Sequence, residues 1–164
     1  MDQDYYEFSD YAKMVFGYPE LCPAVTAKNY GYALLCISGA DGEVSESELH
    51  WLTKYYGFMM GAPKELTDDW TSFDYKKANL SDVLKNLDGV PVNFSRALIF
   101  DAIRMASADG YVRKEKRSVY TAAKILGVDK HIVAGLECLV ENELTFKKHM
   151  AILLEVPSYK IEDC

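Results

Sequence analysis

The chain has 164 residues, 49% of them hydrophobic and 26% charged, which is enough for one globular domain with its own core. A net charge of −7 argues against binding nucleic acid through bulk cation-to-phosphate attraction. It leaves divalent cations and basic partners as compatible charged ligands. No apolar run approaches the ~18 residues of a membrane span. The acidic start, Met-Asp-Gln-Asp, is unlike a secretory leader. Four cysteines without a Cys-x-x-Cys pair make the reducing cytoplasm the expected setting.

Helical periodicity runs through nearly the whole chain. Tyr5, Phe8, Tyr11 and Val15 share a face and predict a first helix over residues 4–17, ending at Gly17. With Tyr6, Phe16 and Tyr18 they make an aromatic N-terminal stretch. It is either a packing face or a surface for a protein partner or a second copy. Tyr18-Pro19-Glu20-Leu21-Cys22-Pro23 reads as a connector. A long apolar helix follows over residues 24–40, with Tyr32, Leu35, Cys36 and Gly39 on one stripe. Ser45 opens the next helix with a capping box: its hydroxyl accepts from the Glu48 amide, and Glu48 reaches back to the Ser45 amide. Gly57 is expected to end that helix.

Residues 60–92 carry the weakest pattern. "MMGAPKELTDDW" and "LDGVPVN" read as turns around a modest helix in "YKKANLSDVLKNL". Asn93 is a candidate cap for a helix reaching Ala108, and another helix runs from Arg113 to Gly127. Asp129 caps a helix through "KHIVAGLECLVENE". A last helix covers Thr145 to Glu155, stopped by Pro157, with "SYKIEDC" as a tail. The expected fold class is all-α: a single domain over residues 1–164, a bundle of about seven to nine helices.

Two segments repeat. "SGADGEVSESE" begins at Ser38 and "SADGYVRKEK" at Ser107. With Asp41 set over Asp109, Tyr32 falls on Phe100, Leu35 on Ile103, Ile37 on Met105, Ala40 on Ala108 and Val44 on Val112. The copies span residues 24–58 and 93–128 and form a duplicated helix–turn–helix, able to pack about a pseudo-twofold axis. Each aspartate lies at the C-terminal end of an apolar helix. There the macrodipole costs a carboxylate roughly 0.3–1 kcal/mol unless something compensates. Compensation comes from amide capping, from a basic partner among Arg96, Arg104, Arg113 and Arg117, or from a cation.

Laid on a calcium loop, Asp41, Gly42, Val44 and Glu48 take positions 5, 6, 8 and 12, but Ile37 and Gly39 bring no side-chain oxygen to positions 1 and 3. The second copy offers Met105, Ser107 and Lys116 at positions 1, 3 and 12. The chain is at most a degenerate EF-hand. The acidic residues best suited to a divalent cation are Asp41, Glu43, Glu48 and Asp109, then Glu46 and Glu115. His50, His131 and His149 lack zinc-site spacing. Cys36 and Cys138 lie in apolar runs and read as small core residues. No phosphate-binding, nucleophile-elbow or dinucleotide motif occurs, so a non-enzymatic protein is expected.

"ISGADGEVSESELHWLTKYYGF" and "MASADGYVRKEKRSVYTAAKILGV" resemble the signature of the tellurite-resistance TerB-like family: a small-residue helix, Ala-Asp-Gly-Glu, polar residues, then an amphipathic helix closing on Leu-Gly. The resemblance covers residues 30–58 and 98–128. It implies an all-helical fold with duplicated helices in a soluble bacterial or organellar protein linked to tellurite and other stress responses. It also implies acidic clusters for a divalent metal, and the residues leave Ca²⁺, Mg²⁺, Mn²⁺ and Zn²⁺ all open as the cation. A related domain occurs in a membrane-anchored DnaJ-like co-chaperone. The second copy departs from the pattern, with Tyr111 in place of Glu and Arg113-Lys114 where acidic residues usually stand. The expected function is a binding or scaffold protein of this kind. The alternative is a structural protein–protein interaction module in which the aspartates are helix caps.

Overall fold

The computed structural model describes residues 4–87 and 92–156. The expected turn at residues 88–91, the stop at Pro157, the tail beyond it and Cys164 lie outside the described residues. Helices dominate, with eight continuous helical stretches among those residues, in line with the all-α expectation.

The N-terminus differs from its sequence reading. Ser9 starts the first helix, α1 (Asp10–Phe16), its hydroxyl accepting the Ala12 N–H at 3.1 Å. Residues before it form a short strand, β1 (Tyr5–Glu7), paired antiparallel with β2 (Leu21–Pro23) inside the expected connector, Tyr6 opposite Cys22. Three-residue strands are too short for alternation to show in sequence. Most of the aromatic stretch packs inward, Tyr18 lying between Phe8, Phe16 and Phe94.

The first repeat copy begins with α2 (Ala24–Ser38), followed by a tight 3₁₀ turn, Gly39–Asp41. After the turn, α3 (Glu46–His50) runs without a break through a π-helical turn, Trp51–Tyr56, into α4 (Gly57–Met60). Gly57 therefore does not end the helix. It is a point of close approach, where a Cβ would lie 3.1 Å from the Thr67 methyl. The stop is Gly61, at φ 79°, with its N–H on the Phe58 carbonyl at 3.2 Å and the Ala62 N–H on the Gly57 carbonyl at 2.8 Å.

Next comes α5 (Lys64–Ser72), where a turn was expected. Leu66 and Trp70, one helical turn apart, bury its inner face. The Trp70 indole N–H reaches the Ala27 carbonyl of α2 at 3.3 Å. A short α6 (Leu80–Lys85), capped by Asn79, leads to the second copy: α7 (Val92–Ala106) and α8 (Arg113–Ile125). The final α9 (Lys130–Leu153) is one helix where two were expected. Its cap is the predicted one, Asp129 accepting the His131 N–H at 2.7 Å. The polar run Glu141–Thr145 contains no breaker, so the helix continues through it.

The two first helices of the copies, α2 and α7, pack against each other at the centre; α8 and α9 cover α7, and α5, α6 and α8 cover α2. Leu34, Leu35 and Ile37 of α2 meet Leu98, Ile99 and Ile103 of α7 in one apolar cluster. One polar chain crosses it. The Tyr30 hydroxyl donates to Asp101 at 2.7 Å, Arg104 donates to Asp101 at 3.2 Å and to Glu143 of α9 at 3.0 Å, and Lys147 pairs with Glu143 at 2.8 Å. Cys22 is buried and Cys36 half-buried, but Cys138 is exposed on α9, contrary to its reading as a core residue.

Candidate functional site

The glycines of the two Asp-Gly turns lie at nearly the same positive φ, 123° for Gly42 and 127° for Gly110. The second turn is one residue shorter, since two residues separate Gly42 from Ser45 but only Tyr111 separates Gly110 from Val112. Val112 thus takes the N-cap place of Ser45, not the place of Val44. Glu115, not Lys116, is the counterpart of Glu48. The two glutamates do the same local work. Glu48 accepts the Ser45 N–H at 2.8 Å, and Glu115 accepts the Val112 N–H at 2.8 Å. Only the first box is complete, because Ser45 also accepts the Glu48 N–H at 3.2 Å while valine has no acceptor to offer.

The duplicated turns bring the expected acidic residues together. An open cleft of about 440 Å³ is lined by Asp41, Glu43, Ser45, Glu46, Glu48, Asp109, Gly110, Val112 and Glu115. Asp41, Glu43, Glu46 and Asp109 are exposed there. Glu48 and Glu115 are 1% and 2% exposed. Each buried carboxyl acts on the other, and the effects cross between the copies. Burial is the main cause that raises the Glu115 pKa to about 7, with Glu48 and Asp41 adding negative charge. Glu48 is raised mainly by burial, and Asp109 adds to it. One oxygen of Glu48, Oε1, accepts no well-formed hydrogen bond, although the Ser38 hydroxyl and the Glu115 carboxyl are its neighbours.

Positive charge is scarce. The Lys114 ammonium donates to the Asp41 backbone carbonyl at 3.4 Å. Arg104, a candidate partner for the aspartates, is turned to Asp101 and Glu143 instead. The Asp41 carboxylate accepts the Glu43 N–H at 3.2 Å, a local cap of its own turn. Among the described residues no three His, Cys, Asp or Glu side chains already converge closely enough to hold a metal ion. What the cleft provides is six carboxylates from two turns, two of them buried and one with an unused oxygen.

Two supporting residues escaped the sequence reading. Ser38 borders Glu48 from the last turn of α2. Tyr75 braces the first turn: its hydroxyl accepts the Val44 N–H at 3.0 Å, and its ring lies where a Cβ on Gly39 would come within 2.5 Å. Nothing local marks either residue. The Glu48–Glu115 pairing did have a signal, a glutamate three residues past the helix start in both copies, once the shorter second turn is allowed for.

No family model matches the sequence, and no curated protein matches it significantly. The structure is similar to the crystal structure of a tellurite resistance protein from Nostoc punctiforme, with a TM-score of 0.72 and 24% sequence identity over 91% of this chain and 92% of that one. At that identity the likeness is one of fold. The chain shares the all-helical fold of that tellurite resistance protein, in keeping with the fold its two Ala-Asp-Gly segments lead one to expect.

Proposed function

We propose that the chain is a non-enzymatic, stress-response-type binding protein of the tellurite-resistance kind that takes a divalent cation in the acidic cleft. The observation that carries this reading is that the carboxylates of both turns line one cleft, with Glu48 and Glu115 buried side by side. Buried carboxylates without a cation neighbour are costly, and a divalent ion offsets that cost directly. Glu48 and Glu115, with Asp41 and Asp109, are the principal ligands; Glu43 and Glu46 complete the set from the exposed side. The ion supplies positive charge that ties one hairpin to the other, so binding stabilises the fold by mass action. The scaffold then presents a surface to a protein partner in the cytoplasm, a setting supported by unpaired Cys22, Cys36 and Cys138.

Calorimetric titration of chelator-stripped protein with Ca²⁺, Mg²⁺, Mn²⁺ and Zn²⁺, alongside thermal melts, tests the reading. We expect saturable heat and a raised Tm for at least one ion, with both effects lost in the Glu48→Gln/Glu115→Gln double variant. Absence of heat and of any Tm shift with all four ions would reject it. The Asp41–Glu43 hydrogen bond favours a second reading, an interaction module whose aspartates are caps. On that reading Asp41→Ala costs about 1 kcal/mol with chelator or with metal alike.

A further inference from the structure

We propose that the outer edge of β1, with the apolar cavity beside it, is a docking groove for an extended peptide of alternating apolar and basic residues, bound by strand addition. Two backbone bonds fix which way the edge faces. Phe8 donates to the Glu20 carbonyl at 3.1 Å and Ala24 to the Asp4 carbonyl at 2.9 Å, so Asp4, Tyr6 and Phe8 turn their peptide groups toward β2. Tyr5 and Glu7 turn theirs outward, and among the described residues no backbone hydrogen bond reaches them there. The Ser9 N–H, next along the same edge, is already taken by the Met60 carbonyl at 3.0 Å. The connector Met60–Gly61–Ala62 thus meets the edge at Ser9. Beyond that contact, Glu7, Gly61 and Ala62 border an apolar cavity of about 30 Å³ that reaches Tyr6, Leu66 and Trp70. It has the room of about two water molecules, which suits the branched end of a valine.

The pleat and the charges state the chemistry of the occupant. A strand added at this edge shares the alternation of β1. Its side chains level with Tyr6 turn toward the body of the protein and the cavity. Those level with Tyr5 and Glu7 turn to solvent, where the Glu7 side chain is 68% exposed. Glu7, Asp10 and Glu20 share Lys13, at 3.6, 3.3 and 3.3 Å, so three carboxylates face one ammonium and net negative charge remains. Apolar residues therefore suit the inner positions of the added strand and basic residues the outer ones. A second copy of β1 fits poorly, since it would bring Asp4 and Glu7 against another Asp4 and Glu7. Pairing through two residues makes a small contact, as transient partners do.

Fluorescence anisotropy of a labelled peptide, Lys-Val-Lys-Val-Lys-Val-Lys blocked at both ends, titrated with the full chain, tests the proposal. The expected result is saturable binding that is absent when glutamate replaces lysine in the peptide. Glu7→Pro removes an outward N–H without touching a β1–β2 bond and should weaken binding roughly tenfold. Glu7→Ala keeps that N–H, loses only the charge, and should weaken binding roughly threefold. N-methylation of every other peptide amide makes the same test on the unaltered protein. Of the two possible methylated sets, the one whose amides face β1 should abolish binding. No saturable binding up to millimolar protein overturns the proposal. Binding that survives both methylated sets and Glu7→Pro also overturns it, since charge attraction alone then holds the peptide. A dimer in sedimentation velocity that Glu7→Pro removes overturns it as well, giving the edge to a second copy.

Discussion

Glu115 is held by its own helix start and crowded by Glu48 and Asp41, and its pKa of about 7 stands well above the ordinary 4.5. The folded chain therefore keeps a proton there that the unfolded chain has already released. The resulting stability is fully present below about pH 4.5 and is lost as pH rises through about 7. Asp101, raised by burial to about 6, acts in the same direction over a lower window. In chelator, Tm should fall between pH 5 and pH 8. Glu115→Gln, which keeps an oxygen for the Val112 N–H, should melt higher than the parent at pH 8 and show a shallower slope, the remainder belonging to Asp101 and Glu48. Melts of both proteins across this range decide it. An unchanged slope would mean that Glu115 is ionised throughout.

At the scale of elements, the two copies differ by two single-residue insertions, and each is absorbed in a recognisable way. One lies in the first turn. The other lies between Glu48 and Gly61, a stretch one residue longer than that from Glu115 to Gly127, and the π-helical turn Trp51–Tyr56 takes it up. Both helices then close alike. Gly127, at φ 70°, donates to the Lys124 carbonyl at 3.3 Å, and Val128 donates to the Ala123 carbonyl at 2.8 Å, matching Gly61 and Ala62. Gly61→Ala should cost roughly 1 kcal/mol, since it places a Cβ at positive φ. That Cβ would also sit 3.0 Å from the Ser9 backbone nitrogen. Urea unfolding measures the cost, and a neutral result would mean that the cap is dispensable.

The Ala-Asp-Gly turns, the Ser45 capping box, the Asp129 cap and the duplication were all legible from residue type and spacing. Gly57 was misread because Gly57-Phe58 and Gly61-Ala62 carry the same glycine-then-apolar signal. The deciding contact comes from Thr67 of α5. That helix itself was hidden, with only Leu66 and Trp70 fully buried along it. The cleft was legible as a set of residues but not as a place. Its assembly depends on α2 and α7 crossing at the centre of the molecule, and nothing within either repeat copy encodes that.

Over the whole molecule, one polar chain joins the parts that must stay in register. Tyr30 of α2, Asp101 and Arg104 of α7, Glu143 and Lys147 of α9, and Tyr55 of the π turn are linked in sequence, Lys147 donating to the Tyr55 hydroxyl at 3.3 Å. The Arg104 guanidinium also lies 5.6 Å from the Trp51 ring and 5.0 Å from that of Phe100. Arg104→Ala would leave Asp101 buried without its counter-charge, at a cost of roughly 3–5 kcal/mol. Asp101→Asn should cost much less. Chemical denaturation of the two variants compares them, and equal small losses would show that the chain is decorative.

The glutamates that face one another in the cleft are also the groups that hold the first turns of α3 and α8 closed. Whatever changes the charge between them, a proton or an ion, alters the hold on two helix starts at once. Fraying of those turns is expected to be synchronised: amide exchange near Ser45 and near Val112 should rise and fall together, although the two sites belong to different halves of the duplication.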